Sequence, residues 1–169
     1  FLSGSFVQHP AMALSIAALE TLDPGQVALI AYNNNAKSDR LTERVRAVMA
    51  RWVPIIGLTD EVAAQRIRED RVDILVDLSG HASDNRLQTV ARRPAPIQVK
   101  WVGGLFNTSG LSAMDYLISD SVETPPGEDE WYTEKIIRLP DGYIVYDPPD
   151  YAPAVGPLPA LDAGSVTFG

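Results

Sequence analysis

Short apolar runs alternate with segments of helical periodicity over the first hundred residues of the chain. Residues 27–32 and 73–78 are rich in aliphatic side chains and lack strict alternation. This pattern is typical of parallel strands that are covered on both faces. A strand stub at residues 1–4 and a further run at 97–102 complete the predicted set of strands.

Helical patterns lie between these runs. Pro10 can occupy a first helical position, and the AMALSIAALETL that follows it is apolar almost all round, as in a helix packed on a sheet. Apolar residues at helical spacing predict further helices over 38–52, 59–68 and 84–93, the first of them marked by Leu41, Val45, Val48 and Trp52. The order of elements predicts an α/β fold with a Rossmann-like, doubly wound parallel sheet.

The pattern loosens after residue 110. Short strands are predicted at 115–119, 135–139 and 143–146, and the segment 147–164 carries five prolines, which predicts a stiff linker. The last residues, 165–169, have the character of a beginning strand. We therefore expect a lobe at residues 1–146, a Pro-rich linker at 147–164 and the truncated start of a second lobe at 165–169.

Composition narrows the classes of function. The 169 residues include 14 Lys plus Arg against 22 Asp plus Glu, a net charge of −8, which argues against nucleic-acid and anionic membrane surfaces as partners. The absence of cysteine excludes thiolate catalysis and Cys-based zinc sites, and the presence of only two histidines argues against a histidine-rich metal site, so we expect no metal. No apolar run approaches a membrane span. A cytoplasmic protein is the default expectation.

The two histidines both follow predicted strands. His9 comes after the strand stub and directly before a helix, and His81 comes after the run at 73–78. Loops at the carboxyl ends of parallel strands hold the ligands of such folds, and imidazole titrates near neutrality, which makes both residues candidates for catalysis. A helix cap or another purely structural role is the alternative for each of them.

Three glycines stand in the same predicted loops. Gly80 precedes His81, and Gly103 and Gly104 follow the strand at 97–102. They permit either a positive φ or a close approach of the backbone to a ligand, and an ordinary turn would use them equally well. The glycine-rich fingerprints of dinucleotide-binding and P-loop proteins are absent, and no serine has a nucleophile-elbow pattern.

A series of short motifs resembles the catalytic region of the protein O-GlcNAc transferases and their bacterial relatives, which usually follow tetratricopeptide repeats. The resemblance extends over essentially the whole chain, and the RPAPIQVKWVG block with NTSG after it is its most specific part. The matching motifs, in the order of the family, are QHP at 8–10, DILVDLSGH at 73–81, RPAPIQVKWVG at 93–103, NTSG at 107–110, MDYLISD at 114–120, YTEK at 132–135 and RLP at 138–140.

The resemblance implies one lobe of a GT-B glycosyltransferase, in which two Rossmann-like lobes face each other across a cleft. It implies inverting transfer of a sugar, usually GlcNAc from UDP-GlcNAc, to Ser or Thr hydroxyls of a protein acceptor, without a cofactor or metal. His9 matches the histidine that faces the reaction centre, and His81 stands at a position that is His or Tyr among relatives. The loop after the strand at 97–102 matches the segment that lines the sugar pocket in the family. We therefore expect substrate-binding residues in this loop and next to it, namely Gly103, Gly104, Asn107 and Thr108 within the loop and Gly80 beside it.

The sequence differs from the usual family pattern at two places, and two other functions remain as alternative hypotheses. Ser5 stands where relatives commonly carry Asp, and the loop reads GGLFNTSG in place of the usual GYPGTSG. A non-catalytic Rossmann-like binding or interaction module of a repeat protein is the second hypothesis. A different nucleotide-sugar enzyme, such as an epimerase, is the third, and the missing glycine-rich fingerprint disfavours it.

Overall fold

The computed structural model describes residues 1–104, 107–149 and 151–168. In these residues it has an all-parallel sheet of seven strands, which are β1 Leu2–Ser3, β2 Ile30–Asn33, β3 Arg51–Pro54, β4 Ile74–Asp77, β5 Ile97–Lys100, β6 Tyr116–Asp120 and β7 Lys135–Leu139. Their order across the sheet is β3-β2-β1-β4-β5-β6-β7, and every neighbouring pair is parallel. The predicted α/β, Rossmann-like parallel sheet is confirmed.

Helices connect the strands in the alternation that the sequence predicts. The helices are α1 Pro10–Ala13, α2 Ile16–Glu20, α3 Arg40–Val48, α4 Asp60–Glu69, α5 Leu87–Ala91 and α6 Pro159–Ala163, with a 3₁₀ turn at Asp129–Trp131. The longer helices begin at capping residues: Asp39 and Thr42 form a capping box on α3, and the Thr59 hydroxyl accepts the Val62 amide at the start of α4.

The sheet is covered on both faces at its centre, where β1 and β2 are buried or half-buried throughout, whereas the edge strand β7 is largely exposed. Successive residues of a strand point to opposite sides. Tyr32 packs in a cluster with residues of α4 and α5, whereas its neighbour Ala31 packs with residues of α1, α2 and α3. The two clusters account for the continuous aliphatic runs in the sequence. Because helices cover the faces of the sheet, the loops at the strand ends are the part that a ligand can reach.

The winding direction of the chain reverses beside β1. From β1 the chain proceeds outward through β2 to β3, then returns to β4 on the other side of β1 and continues to β7. β1 and β4 are adjacent, with Leu2 level with Asp77. Such a reversal separates the loops that leave two neighbouring strands and opens a crevice at their carboxyl ends.

The prediction of a helix extending to Trp52 is wrong. Helix α3 ends at Val48, and Trp52 lies in the edge strand β3. Its ring contacts the Phe6 ring at a centroid distance of 5.4 Å, and it belongs to the same apolar cluster as Val45. The helical spacing arose because a helix and the strand after it both direct apolar side chains into one core.

Other local predictions also differ from the structure. The helix predicted after Pro10 is divided into α1 and α2, with the Ser15 hydroxyl donating to the Ala11 carbonyl at the break. Residues 143–146 form no strand; there the Val145 amide donates to the Leu14 carbonyl as the chain crosses α1. The Pro-rich segment contains helix α6, and residues 165–168 have no strand.

Candidate functional site

His9 lies in the loop that leaves β1 and is the N-cap residue of α1. Its Nδ1 accepts the amide N–H of Ala11 at 3.1 Å, which satisfies one of the free donors at the helix start. Because Nδ1 is the acceptor in this bond, a neutral ring carries its hydrogen on Nε2. His9 therefore caps a helix and presents an N–H donor to its surroundings.

A cavity of about 150 Å³ lies at the reversal of the winding, beyond the ends of β1 and β4. His9, Ser5 and Leu14 form one wall, and Ser79 with Gly103 and Gly104 form the other. The structure thus brings His9 and the two predicted loop glycines together around one depression. Gly80, His81, Asn107 and Thr108 do not line it.

The loops after β4 and β5 are in backbone-to-backbone contact. A Cβ atom added to Gly80 would lie 2.2 Å from the carbonyl oxygen of Gly103, and Gly80 also has a φ of 52°. A Cβ atom added to Gly103 would lie 2.5 Å from backbone atoms of Leu78 and Ser79. Both positions exclude a side chain, because such separations are far below van der Waals contact.

A tight turn at Val102 leads the chain from β5 into this contact. The amide of Gly103 donates to the carbonyl of Trp101 at 2.7 Å, and Val102 between them has a φ of 64°. A β-branched residue with positive φ is strained, and a three-residue turn of this kind is rare. Val102 is buried at the cavity wall, where packing holds the strained backbone in place.

His81 lies beside the cavity, at the same edge of the sheet as His9, and contacts the second half of the loop after β5. Its Nε2 is 3.0 Å from the carbonyl oxygen of Thr108. A carbonyl can only accept, so Nε2 donates and the neutral ring keeps its lone pair on Nδ1. The two histidines therefore offer opposite groups: His9 offers an N–H and His81 offers a lone pair.

Asn107 and Thr108 complete this second cluster. A Cβ atom added to Gly104 would lie 3.8 Å from both the amide nitrogen of His81 and the side-chain nitrogen of Asn107. Residues 105 and 106 of the loop GGLFNTSG, which differs from the usual family motif, lie outside the described residues. The predicted residues thus form two adjoining groups, one around the cavity and one around His81.

Glu134 was not among the predicted site residues, yet it holds this loop in place. Its carboxylate accepts the Ser109 amide at 2.6 Å, the Ser109 hydroxyl, and the Thr108 hydroxyl at 2.7 Å. Burial alone would raise the pKa of Glu134, but these hydrogen bonds outweigh it and keep the pKa below its usual value. In the sequence, Glu134 was marked only by the YTEK motif at 132–135, and that motif assigns no role to the glutamate.

Two buried residues of opposite charge, Asp77 and Lys100, lie beneath the loops and were also missed. Asp77 at the end of β4 is level with Lys100 at the end of β5, and both side chains are fully buried. Asp77 accepts the amides of Ser79 and Gly80 at 3.2 and 2.9 Å. Burial raises the pKa of Asp77 to about 6 and lowers the pKa of Lys100 to about 8.

A larger cavity of about 240 Å³ lies along the edge strand β3, away from all predicted site residues. Its two arginines, Arg51 and Arg66, are both engaged by the carboxylate of Asp70.

In the described ranges no cluster of three or more His, Asp or Glu side chains has an arrangement that could hold a metal ion. No helix in those ranges is both long enough and apolar enough to cross a bilayer.

Comparisons with known proteins match both the sequence and the fold. A probable UDP-N-acetylglucosamine–peptide N-acetylglucosaminyltransferase SPINDLY of Arabidopsis thaliana is 39% identical over 100% of this chain and 19% of its own length. A UDP-N-acetylglucosamine–peptide N-acetylglucosaminyltransferase of Caenorhabditis elegans is 31% identical over 87% of the chain and 13% of its own length. The chain therefore spans less than a fifth of the length of these two curated relatives.

The structure is similar to that of a mutant O-GlcNAc transferase from Thermobaculum terrenum. The two superpose with a TM-score of 0.86 at 42% identity, over 92% of this chain and 30% of the other. The family model described as glycosyl transferase family 41 matches residues 1–154. Fold and sequence thus agree, and the chain belongs to glycosyl transferase family 41.

Proposed function

We propose that the chain is the N-terminal lobe of a GT-B enzyme that transfers GlcNAc from UDP-GlcNAc to Ser or Thr hydroxyls of proteins, with inversion at the anomeric carbon. The crevice at the reversal of the sheet, lined by His9 and by the glycine loop, is the observation that carries this proposal. Family membership and the names of the relatives, which specify UDP-N-acetylglucosamine and a peptide acceptor, support it.

The size of the cavity supports a division of labour between two lobes. At about 150 Å³ it is smaller than the roughly 300–1,000 Å³ of typical ligand pockets. It suffices for part of a sugar or an acceptor side chain, but not for a whole nucleotide-sugar. We therefore propose that residues 1–146 form this lobe, that residues 147–164 link it to a second lobe beginning near residue 165, and that the second lobe holds the nucleotide.

The two histidines have different roles in this proposal. In the transfer, the acceptor oxygen bonds to the anomeric carbon while the bond from that carbon to the phosphate oxygen breaks, UDP leaves with the electron pair, and the hydroxyl proton passes to a base. His9 presents an N–H, so it orients an oxygen of the acceptor or donor by donating to it. His81 retains a lone pair on Nδ1 and is the histidine that can accept a proton.

The test uses the full-length protein with labelled nucleotide-sugars and a panel of protein acceptors. We expect label to move from UDP-GlcNAc to Ser or Thr, and NMR of the product to show a β-linkage formed from the α-linked donor. Retention at the anomeric carbon would contradict the mechanism, and a preference for another sugar would correct the donor. Failure to bind or use any nucleotide-sugar would favour a non-catalytic binding module.

A further inference from the structure

Glu134 occupies a place in the fold that connects β7 to the loop after β5. It directly precedes β7, whose first residue Lys135 is level with Tyr116 of β6, and Tyr116 is in turn level with Val99 of β5. Thr108 and Ser109, which follow β5 in the chain, reach Glu134 although β6 lies between β5 and β7 in the sheet. Glu134 is 4% exposed and does not line the cavity, so it is not positioned to contact a substrate.

Hydrogen bonds on either side of the Thr108–Ser109 peptide group connect Glu134 to His81. The carboxylate accepts from the hydroxyl of Thr108 and from the amide and hydroxyl of Ser109. The carbonyl oxygen of Thr108 then accepts from Nε2 of His81 at 3.0 Å. The position of that carbonyl fixes the hydrogen of the imidazole on Nε2, and so leaves the lone pair on Nδ1.

The hydroxyl of Thr108 has no remaining capacity for other partners. It donates to Glu134, accepts the amides of Gly110 at 3.1 Å and Thr133 at 3.3 Å, and lies 3.0 Å from the Thr133 hydroxyl. With its hydrogen directed at Glu134, the hydroxyl can only accept from these other groups, and a carboxylate, which can only accept, suits the position opposite it. The ammonium of Lys100 interacts favourably with the charges of both Glu134 and Asp77, and Asp77 also interacts with His81.

We propose that Glu134 is a positioning residue: it holds the carbonyl of Thr108 against Nε2 of His81, and thereby fixes the orientation and tautomer of that ring. In catalysis this would keep Nδ1 available as the proton-accepting atom, a consequence that rests on the proposed function. The orientation of the ring is a property of the folded chain and can be tested without it.

The test replaces Glu134 by Gln in the full-length protein. Glutamine keeps the shape but removes the charge and one acceptor, and its NH₂ meets a Thr108 hydroxyl whose lone pairs are occupied. Asp115→Asn is the matched control, because Asp115 directly precedes β6, accepts a backbone amide and pairs with Arg93, and its side chain makes no hydrogen bond or ion pair with residues 107–110. Thr108→Val, which removes only the hydroxyl link, serves as a second variant should E134Q fold poorly.

The first readout is the rate at which diethyl pyrocarbonate modifies His81 relative to His9. The tryptic peptide of residues 72–86 contains His81 as its single histidine, so mass spectrometry separates the two rates. We expect the ratio to rise about 2- to 10-fold in E134Q and T108V, as for the loss of one hydrogen bond, and to stay constant in D115N. An unchanged ratio in both loop variants would overturn the proposal.

The second readout is turnover in a double-mutant cycle. We expect E134Q to lower kcat about 10- to 100-fold with little change in the KM for the donor, and to have no further effect in an H81A background. Additive losses in the double variant would mean that Glu134 does not act through His81. If the wild-type protein transfers no sugar, the proposed function fails, whereas the modification ratio still decides whether Glu134 positions His81.

Discussion

At the scale of single residues, His9 combines two tasks that a substitution can separate. Its Nδ1 caps α1, and its Nε2 remains free at the wall of the cavity. Asparagine is as good a helix cap, since its side-chain oxygen also accepts an amide from the first turn, but it offers no imidazole. The pair of substitutions His9→Ala and His9→Asn therefore distinguishes a capping role from a role in the reaction.

We expect both substitutions in the full-length enzyme to lower turnover by about 10²–10³-fold, the usual contribution of a positioned hydrogen-bond donor. Only His9→Ala should also destabilise the protein, by about 1 kcal/mol, because it removes the cap. Donor affinity should change little, since we assign the nucleotide to the second lobe. Steady-state kinetics with thermal denaturation measures both effects, and full turnover in His9→Asn would limit His9 to capping.

The buried pair of Asp77 and Lys100 gives a prediction about pH. Lys100→Met removes a buried cation that favours the charged form of Asp77, and removing one of two interacting buried charges typically costs about 3–5 kcal/mol. The folded-state pKa of Asp77, about 6, lies above its ordinary value, so the folded state favours its protonated form and the charged pair is present only above that pKa. The loss should therefore be large at pH 7 and smaller at pH 5.

Urea denaturation of the chain at both pH values measures this difference. The amino terminus should be acetylated, because the ammonium of Phe1 is buried and interacts with Asp77. Lys135→Met, at an exposed position at the start of β7, is the control and should change stability little at either pH. An equal loss for Lys100→Met at pH 5 and pH 7 would show that Asp77 does not titrate as the structure indicates.

At the scale of elements, the contact between the loops after β4 and β5 determines the shape of the cavity wall. Gly103→Ala would force its Cβ against the backbone of Leu78 and Ser79, and a backbone cannot yield as a flexible side chain does. We expect a loss of about 1–3 kcal/mol in the free energy of unfolding, as for overpacking.

Gly156→Ala is the matched control, because an added Cβ there meets nothing within 4 Å. Its effect should stay within about 0.5 kcal/mol. Chemical denaturation of both variants makes the comparison, and similar stabilities for the two would mean that the loops separate more easily than their contact implies. Peptide-level hydrogen exchange over residues 78–82 would show whether any loss is local to this contact.

Elements were predictable where one physical cause dominated the pattern. The strands at β2, β4 and β5 are buried on both faces, so their aliphatic runs identified them, although β2 begins three residues later than predicted. β3 was missed because Trp52 and Val45 share one core cluster and imitate a helical period. The break between α1 and α2 depends on a single side-chain hydrogen bond of Ser15, which no periodicity contains.

The site was predictable only where chain order places residues at strand ends. His9, His81 and the glycines follow strands, so the parallel topology alone brings them to one edge. Glu134 directly precedes β7, which lies three places away from β4 in the sheet, and its contact with Thr108 depends on how the strands are staggered. In the sequence Lys100 cannot be distinguished from any other strand residue, because its position opposite Asp77 depends on the register between β4 and β5.

At the scale of the whole molecule, we expect the 169-residue chain to fold by itself but to transfer no sugar. Two apolar clusters and a seven-stranded sheet give it a core of its own. Holding donor and acceptor together supplies roughly 7–11 kcal/mol of a barrier, and one lobe holds only part of that arrangement. UDP should give little or no saturable heat with the chain alone.

Calorimetric titration with UDP, a circular dichroism melt and a transfer assay test this expectation. Adding the second lobe as a separate polypeptide should restore UDP binding. Tight binding of UDP by the chain alone would instead mean that the nucleotide belongs to this lobe, and that the assignment of the two lobes must be exchanged. A non-cooperative melt would show that the lobe needs its neighbour in order to fold.

The parallel sheet also decides where a reporter group could be attached. All strands leave through the edge that carries the cavity, so the loops that enter strands lie across the width of the sheet, about 13 Å away for strands of four residues. The loop before β2 is exposed from Thr21 to Ala28 and belongs to that far edge. A fluorescent label on a cysteine introduced by Gly25→Cys would therefore report on the tumbling and docking of the lobe while leaving the crevice clear.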